Sequence, residues 1–160
     1  MAQKITPNLW FDTEAEEAAA FYCDVFKDSR IVGVAHYPQS SDRAGQVVTA
    51  EWELNGQRFV GINGGPNFKF DEAVSFSISC KDQDEVDYYW ERLTDGGEES
   101  MCGWVKDRYG LSWQVVPDGL DELWSDPDPE RASRAWQAMM KMRKLDIAAL
   151  RSAADGVPAP

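Results

Sequence analysis

The cysteines are the strongest nucleophiles that this sequence offers. Cys102 could act as a nucleophilic thiol if Lys106 or Lys69 lowers its pKa. The same position, at the start of a predicted strand, also fits a small buried apolar residue. Cys23 lies on a predicted helix and Cys80 ends an apolar strand, which indicates core residues. Because the 3 cysteines are an odd number without C-x-x-C spacing, we predict free thiols, with neither a disulfide framework nor a zinc knuckle.

The single histidine and three carboxylates are the candidates for acid–base chemistry. His36 could serve as a general base, and a lone imidazole near a hairpin end also fits a solvated or core residue. Glu51 and Glu53 alternate along one predicted strand, so both face the same side of the sheet, as an acid/base pair or as a solvated face. Asp107, three residues before Gly110, is typical of a turn whose carboxylate accepts hydrogen bonds from backbone amides.

Composition limits the partners that the chain can have. Hydrophobic residues make up 43% and charged residues 28% of 160 residues, the balance of a globular protein. The formal charge of -12 repels phosphate backbones, so we expect no nucleic-acid partner. The sequence contains no run long enough to span a bilayer and no basic, hydrophobic signal at its start, so we expect no membrane association and a cytoplasmic location.

Hydrophobic periodicity predicts the elements that would position these residues. A period-2 strand over 4–11 and a helix beginning near Asp12 or Thr13 are followed by strands over 30–37, 46–54 and 57–63, the last two joined by Asn55-Gly56. The same order recurs in shorter form. A strand over 73–80 and a helix over 83–94 that opens near Asp82 precede strands over 102–106 and 111–116. We therefore predict two similar modules.

The segment after Pro117 has a different composition and predicts helices. Asp126-Pro127-Asp128-Pro129 is a helix-start signal, and helices are predicted over 130–144 and 147–153. The apolar stripe of the first of these helices fits a lid on the protein's own core, a dimer contact, or an exposed scaffold surface. The predicted boundaries are 1–66 for the first module, 67–117 for the second and 118–160 for the extension, within one structural domain.

Several segments resemble a known family. They include Ile5-Thr-Pro-Asn-Leu-Trp-Phe-Asp, Asn63-Gly-Gly-Pro-Asn-Phe-Lys-Phe and Cys102-Gly-Trp-Val-Lys-Asp-Arg-Tyr-Gly-Leu-Ser-Trp-Gln-Val-Val-Pro. Together they resemble the PhnB-like branch of the vicinal-oxygen-chelate superfamily, which carries the label 3-demethylubiquinone-9 3-methyltransferase domain. The resemblance implies an α+β fold of two βαβββ modules, forming a cupped mixed sheet around a cavity, as in glyoxalase I, bleomycin-resistance proteins and dioxygenases. It also implies a homodimer, and the C-terminal helices would be an extension to this fold.

Metal chemistry is typical of the superfamily, with one ligand on the first and one on the last strand of each module. Alignment through the strand phases puts Thr6 and Ser75 at the first-strand positions and Gln114 at the last-strand position of the second module. The last strand of the first module offers Gly61 or Asn63. Hydroxyl and amide groups cannot replace the anionic or imidazole ligands that hold such an ion, so we predict no metal and no cofactor.

The methyltransferase label implies a different cofactor site. A class I S-adenosylmethionine enzyme needs a glycine-rich turn that leads from a strand into a helix. The segment Gly61 to Pro66 follows a strand but leads into an extended stretch. The sequence therefore does not support that label.

The cavity implied by the resemblance would be lined by the strand positions that face away from the helices. These positions carry neutral hydrogen-bonding groups and indoles, which suit a small uncharged or aromatic ligand. The same groups also fit side chains that satisfy one another without a ligand. The predicted ligand-binding residues are Thr6, Asn8, Trp10, Asn63, Ser75, Ser77, Trp113 and Gln114.

Two functional hypotheses follow from the resemblance. The first is a metal-independent, homodimeric protein that binds a small organic molecule. The alternative is a metal-dependent enzyme of the glyoxalase or dioxygenase type, acting on a small oxygenated substrate. Its ligands would have to come from Glu51, Glu53, His36 and Asp107.

Overall fold

In the computed structural model, which describes residues 3–158, the first part of the chain has the order βαβββ. Its elements are β1 (Asn8–Phe11), α1 (Ala15–Val25), β2 (Ser29–His36), β3 (Val47–Leu54) and β4 (Gln57–Asn63). The strands form a mixed four-stranded sheet in the order β1-β4-β3-β2. β1 runs parallel to β4, while β2, β3 and β4 form an antiparallel meander. The described residues up to Phe70 form one compact unit.

The first unit is held together by one face of its sheet, which packs against α1. Period-2 alternation buries Leu9 and Phe11 of β1 beside the buried positions of β3 and β4. Trp52 is fully buried, and its ring stacks between Tyr22 and Phe59 at centroid distances of 5.7 and 5.9 Å. β1 is shorter than predicted and begins at Asn8, after a proline that has no N–H for a strand ladder.

The second part of the chain repeats the βαβββ order. Its elements are β5 (Ser75–Cys80), α2 (Gln83–Thr94), β6 (Glu98–Glu99), β7 (Trp104–Lys106) and β8 (Ser112–Pro117), and its sheet has the order β5-β8-β7-β6. The predicted start of α2 is confirmed, because the Asp82 carboxylate accepts a hydrogen bond from the Glu85 amide at 2.9 Å. The two-residue strand β6 was not predicted, since so short a strand has no measurable periodicity.

Three helices complete the second compact unit, which begins at Asp71. They are α3 (Leu120–Trp124), α4 (Pro129–Met139) and α5 (Ile147–Asp155). The prediction of one helix over 130–144 was wrong at its end. The backbone amides of Cys102 and Gly103 donate to the carbonyls of Met142 and Arg143 at 2.8 Å, and these bonds hold residues after Met139 against β7 instead of in a helical turn. Nowhere in residues 3–158 is a helix long and apolar enough to cross a membrane.

The apolar stripe of α4 is divided between two environments. Ala135 and Met139 are buried, and Met139 joins Leu120, Leu145 and Leu150 in a small core beneath the extension. Trp136 and Met140 remain half-exposed. Of the three residues that the scaffold interpretation required to be exposed, Met139 is buried and the other two are exposed, so that interpretation stays a prediction.

The predicted fold class is confirmed. The chain is an α+β protein with two βαβββ modules, each built on an open four-stranded mixed sheet, followed by helices at the C-terminal end.

Candidate functional site

A cavity of about 780 Å³ lies between the second sheet and the C-terminal helices. Residues of the second unit alone line it. Its floor is formed by strand residues, chiefly Ser77, Ser79, Trp104, Gln114 and Val116. Its roof and rim come from α3, α4 and the adjoining segments, with Asp118, Asp121, Trp124, Trp136, Met139 and Met140.

The floor follows from strand alternation and register. Along β5 the apolar residues Ile78 and Cys80 are buried, while Ser77 and Ser79 point to the opposite, open face. Gln114 is the register partner of Ser77 on one side and of Trp104 on the other. An indole, an amide and a hydroxyl therefore lie in one row across the sheet, on the side that faces the cavity.

The roof is apolar and rich in sulfur and indole groups. The rings of Trp124 and Trp136 meet edge to face at a centroid distance of 5.4 Å. Met140 contacts the turn before β7, where its Sδ lies 3.7 Å from the Sγ of Cys102. The roof thus touches the floor at one end of the cavity and leaves aromatic surface exposed to it.

The polar groups of the cavity are neutral or acidic. Ser79 donates its hydroxyl to the Asp118 carboxylate, and Gln114 donates through Nε2 to the Ser75 Oγ at 2.9 Å. Asp121 adds a second exposed carboxylate from the first turn of α3. No lysine, arginine or histidine is found among the described residues that line the cavity. The site therefore carries negative charge without a cation of its own.

Of the eight predicted ligand-binding residues, four belong to the second unit. The structure places these four on two different faces of the second sheet. Ser77 and Gln114 line the cavity. Ser75 lies beside them and holds the Gln114 amide. Trp113 is buried on the opposite face, where its Nε1 donates to the Asp107 carboxylate at 2.8 Å. Adjacent strand residues face opposite sides of a sheet, so Gln114 and Trp113 cannot both line this cavity.

The other four predicted residues belong to the first unit, where the structure shows what each side chain contacts. Asn8 is exposed and donates to the Thr6 carbonyl at 2.9 Å. Trp10 donates through Nε1 to the Gly65 carbonyl at 2.8 Å. Asn63 is buried on the helix side, where its amide bonds the Ala15 N–H and the Val47 carbonyl. Asn63 therefore uses its side chain to join α1 to the sheet.

The donor set at the superfamily's metal positions does not fit a divalent cation. The Thr6 hydroxyl accepts from the Gln3 amide at 3.5 Å, and the Ser75 hydroxyl accepts from Gln114. These hydroxyl groups already accept hydrogen bonds from neutral amide side chains, and the set contains no carboxylate, imidazole or thiolate. Across residues 3–158, no group of three or more His, Cys, Asp or Glu side chains is arranged to hold a metal ion.

The carboxylates considered for the alternative hypothesis have other partners. Glu51 pairs with Arg58, and Glu53 pairs with Arg30 at 3.3 Å. Asp107 is 3% exposed, and its two oxygens accept from the amides of Tyr109 and Leu111 and from the Trp113 indole. The prediction of a turn at Asp107 is confirmed.

The segment after β4 does not fit an S-adenosylmethionine site. No helix follows Asn63 until α2 begins, so residues 61–66 present no helix N-terminus. A Cβ on Gly64 would lie 2.1 Å from Cζ2 of Trp10. The space that this glycine leaves open is filled by an indole, where a nucleotide-binding turn would need room for a phosphate or a carboxylate.

The three free thiols differ in their surroundings. Burial raises the pKa of Cys80 to about 12, with further contributions from nearby acidic residues. Burial also raises the pKa of Cys23. Cys102 lines the cavity, and Lys106, which could have acted on it, pairs with Glu72 at 2.5 Å. Of these thiols, Cys102 is therefore the one whose reaction rate would change when a ligand enters the cavity.

Trp104, Trp124, Asp118 and Asp121 are among the lining residues that escaped the sequence analysis. Trp104 could have been found, because a hairpin with its turn at 107–110 places it opposite Gln114. Trp124, Asp118 and Asp121 belong to or adjoin the short helix α3, which has too few residues to give a periodic signal.

Comparisons with known proteins agree with the fold. The family model described as 3-demethylubiquinone-9 3-methyltransferase matches residues 3–116. A solved Bacillus cereus protein described by the same activity, a PhnB protein, is 35% identical, with a TM-score of 0.66 over 72% of this chain and 99% of its own. A Pseudomonas aeruginosa protein is 18% identical, with a TM-score of 0.59 over 70% of this chain and 95% of its own.

More distant likeness extends to a fosfomycin resistance protein from Listeria monocytogenes. It is 14% identical, with a TM-score of 0.53 over 71% of this chain and 88% of its own. At this identity the likeness shows the fold alone. No curated protein matches the chain. The matched family region ends at residue 116, so the floor of the cavity lies almost wholly inside it and the roof lies outside it.

Proposed function

The chain belongs to the 3-demethylubiquinone-9 3-methyltransferase family of PhnB-like proteins, within the vicinal-oxygen-chelate superfamily, and from this premise we propose that it binds a small organic molecule without a metal ion. The observation that carries the proposal is the 780 Å³ cavity of the second unit, with indoles and a few polar groups on its walls. Binding sites for small molecules have this size and mixed lining.

The polar contacts of the proposed ligand come from the floor. Gln114 is held by Ser75, so its amide is oriented before a ligand arrives. Ser77 and Ser79 add hydroxyls on the same face. Preorientation of this kind reduces the entropy lost on binding. We assign Ser77 and Gln114 to polar recognition and Ser75 to positioning Gln114.

The apolar contacts come from the roof. Trp136 is 50% exposed, although it belongs to a helix whose neighbouring residue Ala135 is fully buried. A flat ligand that enters the cavity would cover this ring and that of Trp124. Covering such aromatic surface is the main source of affinity in sites of this kind.

Ligand binding can be measured with three bicyclic probes of nearly the same shape: neutral 1-methylnaphthalene, cationic 1-methylquinolinium and anionic 1-naphthoate. We expect at least one of them to bind with one-to-one stoichiometry by calorimetry. Trp136→Ala should weaken that binding by about 1 kcal/mol, which is roughly fivefold. Phe68→Ala removes an exposed aromatic side chain from the first unit and is the matched control.

The position of the bound probe can be read from thiol alkylation. Cys102 should react faster than Cys80, whose raised pKa keeps it protonated at neutral pH. The bound probe should slow alkylation of Cys102. Binding that leaves the Cys102 rate unchanged but is lost in Trp10→Phe would place the ligand on the first unit and contradict the proposed site.

Metal independence is tested on the same complex. We expect the affinity for the bound probe to stay within twofold after dialysis against a chelator and after reloading with Mn, Fe, Ni or Zn ions, because the hydroxyl and amide groups of the site are poor ligands for these ions. Elemental analysis of the dialysed and reloaded protein is the parallel measurement. Stoichiometric metal that raises the affinity would contradict this part of the proposal and favour the enzyme hypothesis.

We also propose that the chain forms a homodimer through β2. This strand is the edge of its sheet, and its apolar residues Ile31, Val32 and Val34 are 46%, 37% and 36% exposed. An exposed apolar edge strand tends to pair, and two antiparallel copies related by a twofold axis satisfy each other's backbone groups.

The variant Val32→Lys should convert the dimer into a monomer, because it places a charge in the proposed interface. Light scattering after size exclusion measures the mass directly. Gln39→Lys adds the same charge in the exposed loop after β2 and should leave the mass unchanged. A monomeric parent protein, or a dimer that survives Val32→Lys, would contradict this interface.

A further inference from the structure

We propose that the ligand of the cavity is an organic cation with an aromatic body, such as an aromatic amine or an N-alkylated ring. This inference rests on the proposed binding function and adds to it the charge of the ligand. Three independent properties of the cavity support it: the sign of its charged groups, the kind of its aromatic rings and the hydrogen-bonding character of its floor.

The charged groups of the cavity are both carboxylates. Asp118 follows β8, and Asp121 lies in the first turn of α3, so the two stand at the same rim. The described residues of the lining include no basic side chain that would neutralise them. The whole chain carries a charge of -12, which adds to the local field. An anionic ligand would meet repulsion there, whereas a cation would be attracted and concentrated.

The aromatic rings favour the same sign of charge. The cavity presents three indoles, Trp104, Trp124 and Trp136, from the floor and the roof. The face of an aromatic ring is negative, and tryptophan is the side chain that binds cations most strongly through it. The rings of Trp124 and Trp136 meet edge to face at an interplanar angle of 77°, so together they form a corner and not one flat surface.

The floor presents hydrogen-bond acceptors to a ligand. One N–H of the Gln114 Nε2 group donates to the Ser75 hydroxyl, and the amide oxygen is available to accept a hydrogen bond from a ligand. The Asp118 carboxylate accepts a hydrogen bond from the Ser79 hydroxyl, so the proton of that hydroxyl is not available to a ligand. A ligand with N–H donors or a positive ring therefore finds acceptors at both ends of the floor.

The three bicyclic probes test this inference, because they differ in charge and barely in shape. We expect 1-methylquinolinium to bind about tenfold more tightly than 1-methylnaphthalene, and 1-naphthoate to bind most weakly. Asp121→Asn should weaken 1-methylquinolinium about fivefold and leave 1-methylnaphthalene unchanged. Glu122→Gln is the matched control, since it removes one carboxylate from the same turn of α3 but does not line this cavity.

The outcomes separate the two proposals. Equal affinity for the cationic and neutral probes, or equal effects of Asp121→Asn and Glu122→Gln on 1-methylquinolinium, would overturn the cation inference and leave the binding function standing. Tighter binding of 1-naphthoate would do the same. If none of the probes binds to protein whose circular dichroism shows it to be folded, the binding function fails as well. Asp118→Asn provides a second variant that should act like Asp121→Asn, with loss of affinity only for the cation.

Discussion

Replacing Asp107 with alanine is expected to lower the free energy of unfolding by about 4 kcal/mol, because it leaves three hydrogen-bond donors without their acceptor. The donors are the amides of Tyr109 and Leu111, at 2.9 and 3.1 Å, and the Trp113 indole at 2.8 Å. Asp107 is buried, so water cannot easily replace the carboxylate. Urea denaturation followed by tryptophan fluorescence measures the change.

Asp84→Ala is the control for this loss. Asp84 is an exposed aspartate in the first turn of α2, and its removal should change the stability by no more than about 0.5 kcal/mol. A loss below 1 kcal/mol in Asp107→Ala would mean that the turn relaxes to find new acceptors. The assignment of Asp107 to a structural role would then lose its support.

Gly103→Ala is expected to destabilise the second unit by about 3 kcal/mol, from backbone strain of about 1 kcal/mol and overpacking of about 2 kcal/mol. Gly103 has a φ of 83°, which an L-residue adopts at a cost. A Cβ there would lie 2.9 Å from the Val115 carbonyl and 3.1 Å from Cδ1 of Leu145. Because Leu145 belongs to the core under the roof, the same variant should also weaken probe binding.

Gly110→Ala separates strain from overpacking. Gly110 has a φ of 84°, almost the same as that of Gly103, but a Cβ there would meet nothing within 4 Å. This control should therefore show only the strain, about 1 kcal/mol, and unchanged probe affinity. Thermal denaturation and calorimetry provide the two measurements. Equal losses of stability in both variants would contradict the close contact at Gly103.

The order of strands and helices in both modules could be predicted because their residues repeat with the period of the element. The alternation of Ser77 with Ile78, for example, both predicts β5 and identifies its open face. Shorter elements escape such reasoning, since α3 has 5 residues and β6 has 2. The end of α4 was also missed, because tertiary hydrogen bonds from Cys102 and Gly103 decide it and local sequence does not.

The candidate site was predicted less completely than the fold. Ser77 and Gln114, which were predicted from strand phase, line the cavity, whereas Trp113, predicted with them, is buried on the opposite face of β8. The predicted site drew only on strands, as the family resemblance implies. The roof comes from a segment beyond the residues that the family model matches, so Trp124 and Asp121 were not assigned to a cavity before the folded chain was known.

The floor of the cavity lies within the residues that the family model matches, and the roof lies beyond them. This division affects how fast a ligand can enter and leave. The floor belongs to a hydrogen-bonded sheet, while the roof is made of the short helices α3 and α4, and backbone bonds from Cys102 and Gly103 reach the segment that follows α4. Segments of this kind open locally at a smaller free-energy cost than global unfolding. The time that a ligand stays bound would then be governed by how often the roof lifts. Substitutions in α3 and α4 would then lengthen or shorten this residence time without altering the strand residues that we propose as ligand contacts.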